Sequence, residues 1–362
     1  MKNKNYDKFF FWIVCLTVLA GFFILFSASM GLLSRDGADF SSIIFKQIFF
    51  GLLGFVIFLI TSKINYKKWQ KFALPFFIFS FLLTLLVFEP HIGFGHSGAK
   101  RWINLGFVNF QPSELLKIAF IVYMASWIAS RKDDIKSFKF GFLPFLVITA
   151  FVGLVLIAEP DIGTLGVIAI TGACMFFIGG GKYSQVALMF FLGLALLYVL
   201  VLIKPHAMSR IMVFLNPGFD PQGVGYQLKQ SLIAVGSGGI FGRGFGMSIQ
   251  KFHFLPEPIG DSIFAVFAEE FGFLGGLFLI GLLLFFLYRG LKIAMNSSNS
   301  FARLLGSGII ISIIVQSFIN IGSIIGIIPM TGITLTFISQ GGSSLAIALA
   351  SVGILFNISR NG

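Results

Sequence analysis

Long apolar runs separated by short polar stretches make up most of this chain. A helix that crosses a bilayer needs about 20 apolar residues. Ten runs qualify: 9–31, 43–62, 72–89, 113–130, 141–158, 162–180, 184–203, 262–288, 303–328 and 333–357. The pattern predicts an all-α polytopic membrane protein, with one membrane domain over residues 1–362. Two connections read as very short turns: Glu159-Pro160-Asp161 between the fifth and sixth runs, and Pro329 to Gly332 between the last two. The exception to the pattern is a polar, Gly-rich stretch, about 204–261, between the seventh and eighth runs, in which Lys204-Pro205-His206, Asn216-Pro217-Gly218 and Asp220-Pro221 read as turn signals and Gln227 to Ala234 as a short amphipathic helix. The first run is longer than a signal-peptide core and no clear small-residue cleavage site follows it, so it reads as a retained helix.

Composition agrees with that reading. Hydrophobic residues make up 57% and charged residues 11%, against about 25% charged in soluble domains. Mean hydropathy is +0.95. The net charge of +12 does not call for nucleic acid, because no basic folded domain carries it. Basic residues instead mark topology. With the N-terminus inside, inner segments hold Lys2, Lys4, Lys8, Lys63, Lys67, Lys68, Lys71, Arg131, Lys132, Lys136, Lys139, Lys182, Arg289, Lys292, Arg303 and Arg360. The short outer segments hold Arg35, Lys46, Lys100 and Arg101. This bias puts both termini in the cytoplasm and the 204–261 stretch outside. That stretch still carries Lys204, Arg210, Lys229, Arg243 and Lys251. They read either as solvated loop charge or as the recognition surface for an anionic ligand. Cys15 and Cys174 lie inside apolar runs and read as packing residues, not as a disulfide or metal pair.

Candidate chemistry gathers at two outer segments. Asp261 stands where the long stretch re-enters the bilayer, just after Pro256, Pro258 and Gly260. Position alone would equally suit a helix N-cap. Glu257 is a loop carboxylate, and Glu269 and Glu270 fall about two turns into the eighth run. Acids there are costly in lipid and are expected to face the bundle interior. In the 90–112 segment, Trp102 suits an interfacial anchor, and Gln111 or Ser113 a helix cap before Glu114. Lys117 follows Glu114 at i+3. The pair reads as self-neutralising, or as a lysine aimed at phosphate. Gly242, Gly244 and Gly246 have a nucleotide-loop spacing but no βαβ context, so they are expected to let the backbone approach a head group or the membrane surface. His206 and His253 lack a second ligand at useful spacing, which argues against zinc.

Three stretches together resemble a known family. They are GAKRWINLGFVNFQPSELLK (98–117), the Gly-rich run with its closing LPE (225–257), and ITLTFISQGGSSLAIALASVGILFNISR (333–360). They are similar to the SEDS proteins of shape, elongation, division and sporulation, and most like the division member. Two departures stand out. The family usually has His-Thr-Asp-Phe where this chain has Ile259-Gly260-Asp261-Ser262, and Ser-Tyr-Gly-Gly where it has Ser339-Gln340-Gly341-Gly342.

The resemblance implies a peptidoglycan glycosyltransferase that polymerises lipid II outside the cytoplasmic membrane, with Asp261 as its essential aspartate. In the implied reaction the acceptor 4-hydroxyl attacks C1 of the donor and undecaprenyl diphosphate leaves. Asp261 would act as general base, and Arg210, Lys117 (beside Glu114), Arg101, Arg243 and Lys251 are the candidate cations for the leaving diphosphate, with Arg210 and Lys117, both near the ends of apolar runs, favoured. A magnesium or manganese ion on that diphosphate stays open, with no ligand cluster committing to it. The family implies a class B penicillin-binding protein and other division proteins as partners. A lipid II flippase, suggested by Glu114, Lys117, Glu269 and Glu270 inside apolar runs, and a non-catalytic scaffold are the competing readings.

Overall fold

The computed structural model describes residues 7–34, 40–96, 99–104, 106, 108–131 and 134–361. Lys2, Lys4, Arg35 and Lys132 of the topology argument lie outside the described residues. The chain opens with α1 (Lys8–Met30), α2 (Phe40–Lys63), a short α3 (Tyr66–Lys71) and α4 (Ala73–Leu85). A small antiparallel sheet follows, β1 (Gly93–His96), β2 (Ala99–Asn104) and β3 (Asn109–Phe110). Then come α5 (Pro112–Ser130), α6 (Leu143–Ala158), α7 (Ile162–Ile178) and α8 (Tyr183–Ile203). The long stretch holds α9 (Pro205–Leu215), α10 (Val224–Ser237) and α11 (Gln250–His253), before α12 (Ile263–Met295), α13 (Ser300–Ile324) and α14 (Gly342–Asn361). Among the described residues, eight helices are long and apolar enough to cross a membrane, and Ala73–Phe88 and Ile162–Ile178 are shorter apolar helices. Together they account for the ten apolar runs.

Lipid offers helices no hydrophobic reason to associate, so close backbone approach must do it. The α2–α14 contact shows how. A Cβ on Gly54 would lie 3.0 Å from the Ala346 Cα, and one on Gly353 3.1 Å from the Phe58 Cα. Thr61 donates across that contact to the Ala350 carbonyl at 2.9 Å. Helices α13 and α14 form the centre, with 78% of their apolar windows buried, while α8 stands at the edge with 6%.

Two expectations are corrected. The last connection is not a four-residue turn: α13 ends at Ile324 and α14 starts at Gly342, leaving residues 325–341 as a non-helical segment packed into the bundle. The 204–261 stretch is helical for much of its length. Pro205, read as a turn signal, sits in the first turn of α9, where its missing N–H costs nothing. Residues 102–104 and 109–110 lie in the small sheet, with Phe94 opposite Trp102 across the first ladder.

The glycine run also differs from expectation. It approaches protein backbone. Helix α12 is broken at Gly272, whose φ of 67 and ψ of −165 are non-helical. The break orphans backbone groups at membrane depth, where each must find a partner. The run supplies them: Arg243 and Gly244 N–H donate to the Glu269 and Glu270 carbonyls at 3.0 and 2.9 Å, and Phe273 and Leu274 N–H donate to the Gly239 and Ile240 carbonyls at 2.9 and 3.1 Å. Gly242 has φ +81, and a Cβ there would overlap the Glu270 carbonyl oxygen. Gly242→Ala is therefore expected to destabilise the protein by about 2 kcal/mol or more, read as a lower thermal midpoint in detergent. An unchanged midpoint would show the seam to be dispensable.

Candidate functional site

Four connections meet on one face: β2, the 159–161 turn, the 204–262 stretch and the 325–341 segment. Asp261 is fixed by its main chain. Glu257, in the left-handed region at φ 47, accepts from the Gly260 and Ser262 N–H at 3.1 and 3.2 Å, closing a tight turn. Gln340 N–H grips the Ile259 carbonyl at 2.8 Å. The Asn320 amide, from α13, donates to the Asp261 carbonyl at 2.7 Å and to the Ile333 carbonyl at 2.8 Å. Ser262 is the N-cap residue of α12, with no side-chain cap bond. The Asp261 carboxylate thus does not cap the helix. It is half-buried and accepts from Gln227 Nε2 at 3.2 Å. Burial, then the Glu257 carboxylate, pushes its pKa from 3.8 up to about 6, against the opposing Gln227 hydrogen bond and Arg210.

Arg210 comes from α9. Its Nη1 donates to the Thr331 carbonyl at 2.7 Å. A Cβ on Gly332 would lie 3.1 Å from Arg210 Nη2 and 3.8 Å from Asp261 Oδ2. The guanidinium and the carboxylate therefore face each other over a position that a side chain would block. Arg101, on β2, donates through Nε to the Glu159 carbonyl at 3.3 Å and through Nη2 to the Pro160 carbonyl. Asp161 caps α7 through the Thr164 N–H at 3.2 Å and accepts from Ser113 and Gln111 at 3.3 and 3.4 Å. Burial, then the charge of Arg101, draws the Arg210 pKa down, while Asp261 and Asp161 oppose that shift. Two guanidinium groups and two carboxylates thus act on one another from three connections, with the fourth, 325–341, contributing backbone. Beside them opens a cavity of about 520 Å³, lined by Phe94, Trp102, Asn104, Gln111, Gln340 and Ser343 among others.

Other candidates are engaged elsewhere. Lys251, expected on the diphosphate, is fully buried, 2.7 Å from Glu270 and 3.1 Å from Ser27 Oγ. Arg243 pairs with Glu269 at 3.4 Å. Glu269 also accepts from Ser248 Oγ and from the Ile249 and Gln250 N–H, at 2.6, 3.1 and 3.3 Å. Glu269 and Glu270 therefore tie the 204–262 stretch to α12 and are not part of the Asp261 cluster. Lys117 is buried against Glu114 at 2.9 Å and bonds the Gln316 Oε1, while Ser344 donates to Glu114 at 3.3 Å. The structure thus holds Lys117 within the bundle, and Ser344, which donates to its partner Glu114, also lines that cavity. These pairings have one cause: a charge at membrane depth needs a partner, and each of these found one within the protein.

Sequence reasoning missed Gln227, Asn320, Glu159, Asp161 and the Thr331–Gly332 backbone. Two acids in one turn between apolar runs were the available signal for Glu159 and Asp161. Nothing local marks Asn320.

With this geometry in view, the chain was compared with known proteins. Its sequence matches the cell cycle protein family of FtsW, RodA and SpoVE over residues 7–362. It is 37% identical to the stage V sporulation protein E of Bacillus subtilis, over 99% of this chain and 98% of that one. It is 38% identical to a probable peptidoglycan glycosyltransferase FtsW of Haemophilus influenzae, over 98% of this chain and 90% of that one. A solved structure concerned with coordination of polymerization and crosslinking by a peptidoglycan synthase complex superposes with a TM-score of 0.81 at 25% identity, over 98% of both chains. The rod shape determining protein RodA of Thermus thermophilus superposes with a TM-score of 0.73 at 25% identity, over 99% of this chain and 98% of that one. On these full-length matches the chain belongs to the FtsW, RodA and SpoVE family of cell cycle proteins.

Proposed function

We propose that this chain is a peptidoglycan glycosyltransferase that polymerises lipid II during cell division, with Asp261 as its general base. The observation that carries the reading is the state of Asp261. Its carboxylate caps no helix, sits half-buried, and faces Arg210 across Gly332. A sugar hydroxyl is a weak nucleophile and gains from a positioned base, typically by about 10²–10⁴-fold. A carboxyl raised to about 6 is a stronger base than an ordinary aspartate and is still ionised at neutral pH. The acceptor 4-hydroxyl gives its proton to Asp261 as its oxygen attacks C1 of the donor. The C1–O bond to undecaprenyl diphosphate breaks, and its electron pair leaves with the diphosphate. One displacement converts an α-linked donor into a β-linked chain. Arg210 and Arg101 receive the charge that builds on the leaving group, through forks suited to phosphate oxygens. The cavity beside them has the size of a ligand site and offers aromatic faces and amide groups to a sugar.

The positive-inside bias supports a bacterial cytoplasmic membrane protein with both termini inside and this face outside. The synthase complex among its structural neighbours supports a crosslinking partner, a class B penicillin-binding protein, and other division proteins. Among the described residues no three His, Cys, Asp or Glu groups gather to hold an ion. A magnesium or manganese ion would therefore have to rely mainly on the diphosphate's own oxygens.

The direct experiment gives purified protein, alone and with a transpeptidase partner, labelled lipid II in detergent. Glycan chains support the enzyme. Movement of lipid II across vesicle leaflets without chains would favour a flippase, and the absence of both chains and movement would favour a scaffold. The flippase loses its main support here, because Glu114 and Lys117 neutralise each other and Glu269 and Glu270 hold the outer stretch. Arg210→Glu is expected to raise the donor KM at least about tenfold. Unchanged kinetics would remove Arg210 from the diphosphate site.

A further inference from the structure

The mechanism above leaves one buried acid without a task. Glu159 closes α6 and is 1% exposed. Both of its carboxyl oxygens are enclosed, with no hydrogen-bond partner among the described residues. The neighbouring guanidinium makes that unusual. Arg101 donates to the main-chain carbonyls of Glu159 and Pro160 and makes no bond to the Glu159 carboxyl. An ionised carboxylate in so dry a place would draw such a guanidinium into a two-bond fork. An enclosed anion without bonds would be far more costly than a neutral acid.

The geometry points to a positioning role for Glu159: as an uncharged acid it leaves the Arg101 charge unneutralised, and so available to an anionic diphosphate. This inference rests on the glycosyltransferase reading and adds the residue that sets the charge of its anion site. The charged groups acting on Glu159 are Asp161, from the same turn, and Arg101, from β2. Burial, then the Asp161 carboxylate, pushes the Glu159 carboxyl from 4.5 up to about 9, against the pull of Arg101. Asp161 meanwhile has its own partners in Thr164, Ser113 and Gln111. The pattern therefore has one carboxylate kept charged by hydrogen bonds and one kept neutral by their absence. Ionising Glu159 would place a negative charge beside Arg101 and weaken the hold on diphosphate.

The test titrates undecaprenyl diphosphate onto the full chain in detergent at pH 7.5, 8.5 and 9.5. The second ionisation of phosphate lies near about 6, so the probe's charge is constant over this range. Wild type is expected to bind about fivefold more weakly at the top of the range than at the bottom. Glu159→Gln and Glu159→Met should match wild type at pH 7.5 and stay flat to pH 9.5. Glu159→Met should also raise the thermal midpoint, since it removes two enclosed polar atoms without partners. Variants that weaken in step with wild type, or that already bind differently at pH 7.5, would overturn the inference. Lipid II polymerisation by wild type, measured alongside, separates the two levels. Chains formed without the expected binding pattern sink the Glu159 role alone. Absence of both binding and chains in wild type sinks the functional reading and this inference with it.

Discussion

Asp261→Asn is expected to reduce lipid II polymerisation by about 10²–10⁴-fold while the protein folds as well as wild type or better. The main chain at this position is held by Asn320, Gln340 and the Glu257 turn, none of which needs the carboxylate. The side chain itself accepts a single amide hydrogen bond, from Gln227. Its carboxyl titrates near 6 in the folded protein, against an ordinary value of 3.8. Between those values the folded chain holds a proton that the unfolded chain has released, so acid favours folding over that range. Above about 6 the folded chain bears the full cost of an ionised, half-buried carboxylate. Asparagine has no such cost. The thermal midpoint of the variant should thus exceed that of wild type at pH 7.5, and the gap should narrow toward pH 5. Wild-type kcat/KM should in turn fall about tenfold per pH unit below about 6, as the base becomes protonated. Normal glycan chains from Asp261→Asn, or a flat acid limb, would end its role as base.

The second large effect concerns stability. Lys251→Met should destabilise the protein by about 3–5 kcal/mol, because it leaves Glu270 charged and enclosed without its cation. Glu270 is 2% exposed, and without Lys251 its side-chain partner is Ser27. The pair also links three parts of the fold: α1 through Ser27, the outer stretch through Lys251, and α12 through Glu270. Its loss should therefore loosen the glycine run that completes the broken turn of α12. Combining Lys251→Met with Glu270→Gln removes both charges and should recover a large part of the loss. Thermal unfolding in detergent measures both. A Lys251→Met midpoint equal to wild type would show that the outer stretch does not depend on this pair.

Much of this protein is legible in its amino-acid sequence. The apolar runs locate the membrane-crossing helices, because bilayer thickness dictates their length whatever they pack against. Alternation of those runs also places Arg101, Asp161, Arg210 and Asp261 on connections that return to the same face. The long stretch is harder to read. A short helix is legible around Gln227 to Ala234, within α10, but the turn residues before it conceal α9, which packs on α8 and α10 and reaches the 325–341 segment through Arg210. The last connection misleads for a related reason: Ile333 to Ile338 is as apolar as a helix interior, yet that segment is buried as irregular backbone whose polar groups are served by Asn320, Gln316 and Ser339.

The roles of the charged residues divide along the same line. Sequence alone marked the cations of the outer face and, through resemblance, one aspartate at a membrane re-entry point. It favoured Arg210 and Lys117, which lie near the ends of apolar runs, without separating the others. Packing ranked them. It joined Lys251 to Ser27 and Glu270, and Lys117 to Glu114 and to Gln316 of α13, while Arg101 and Arg210 were left bonded mainly to backbone carbonyls. A charge inside a bilayer must be matched, and its partner comes from whichever helix packs beside it. That choice is made by the bundle as a whole, so only the tertiary structure decided which cations pair with acids and which are held by backbone carbonyls.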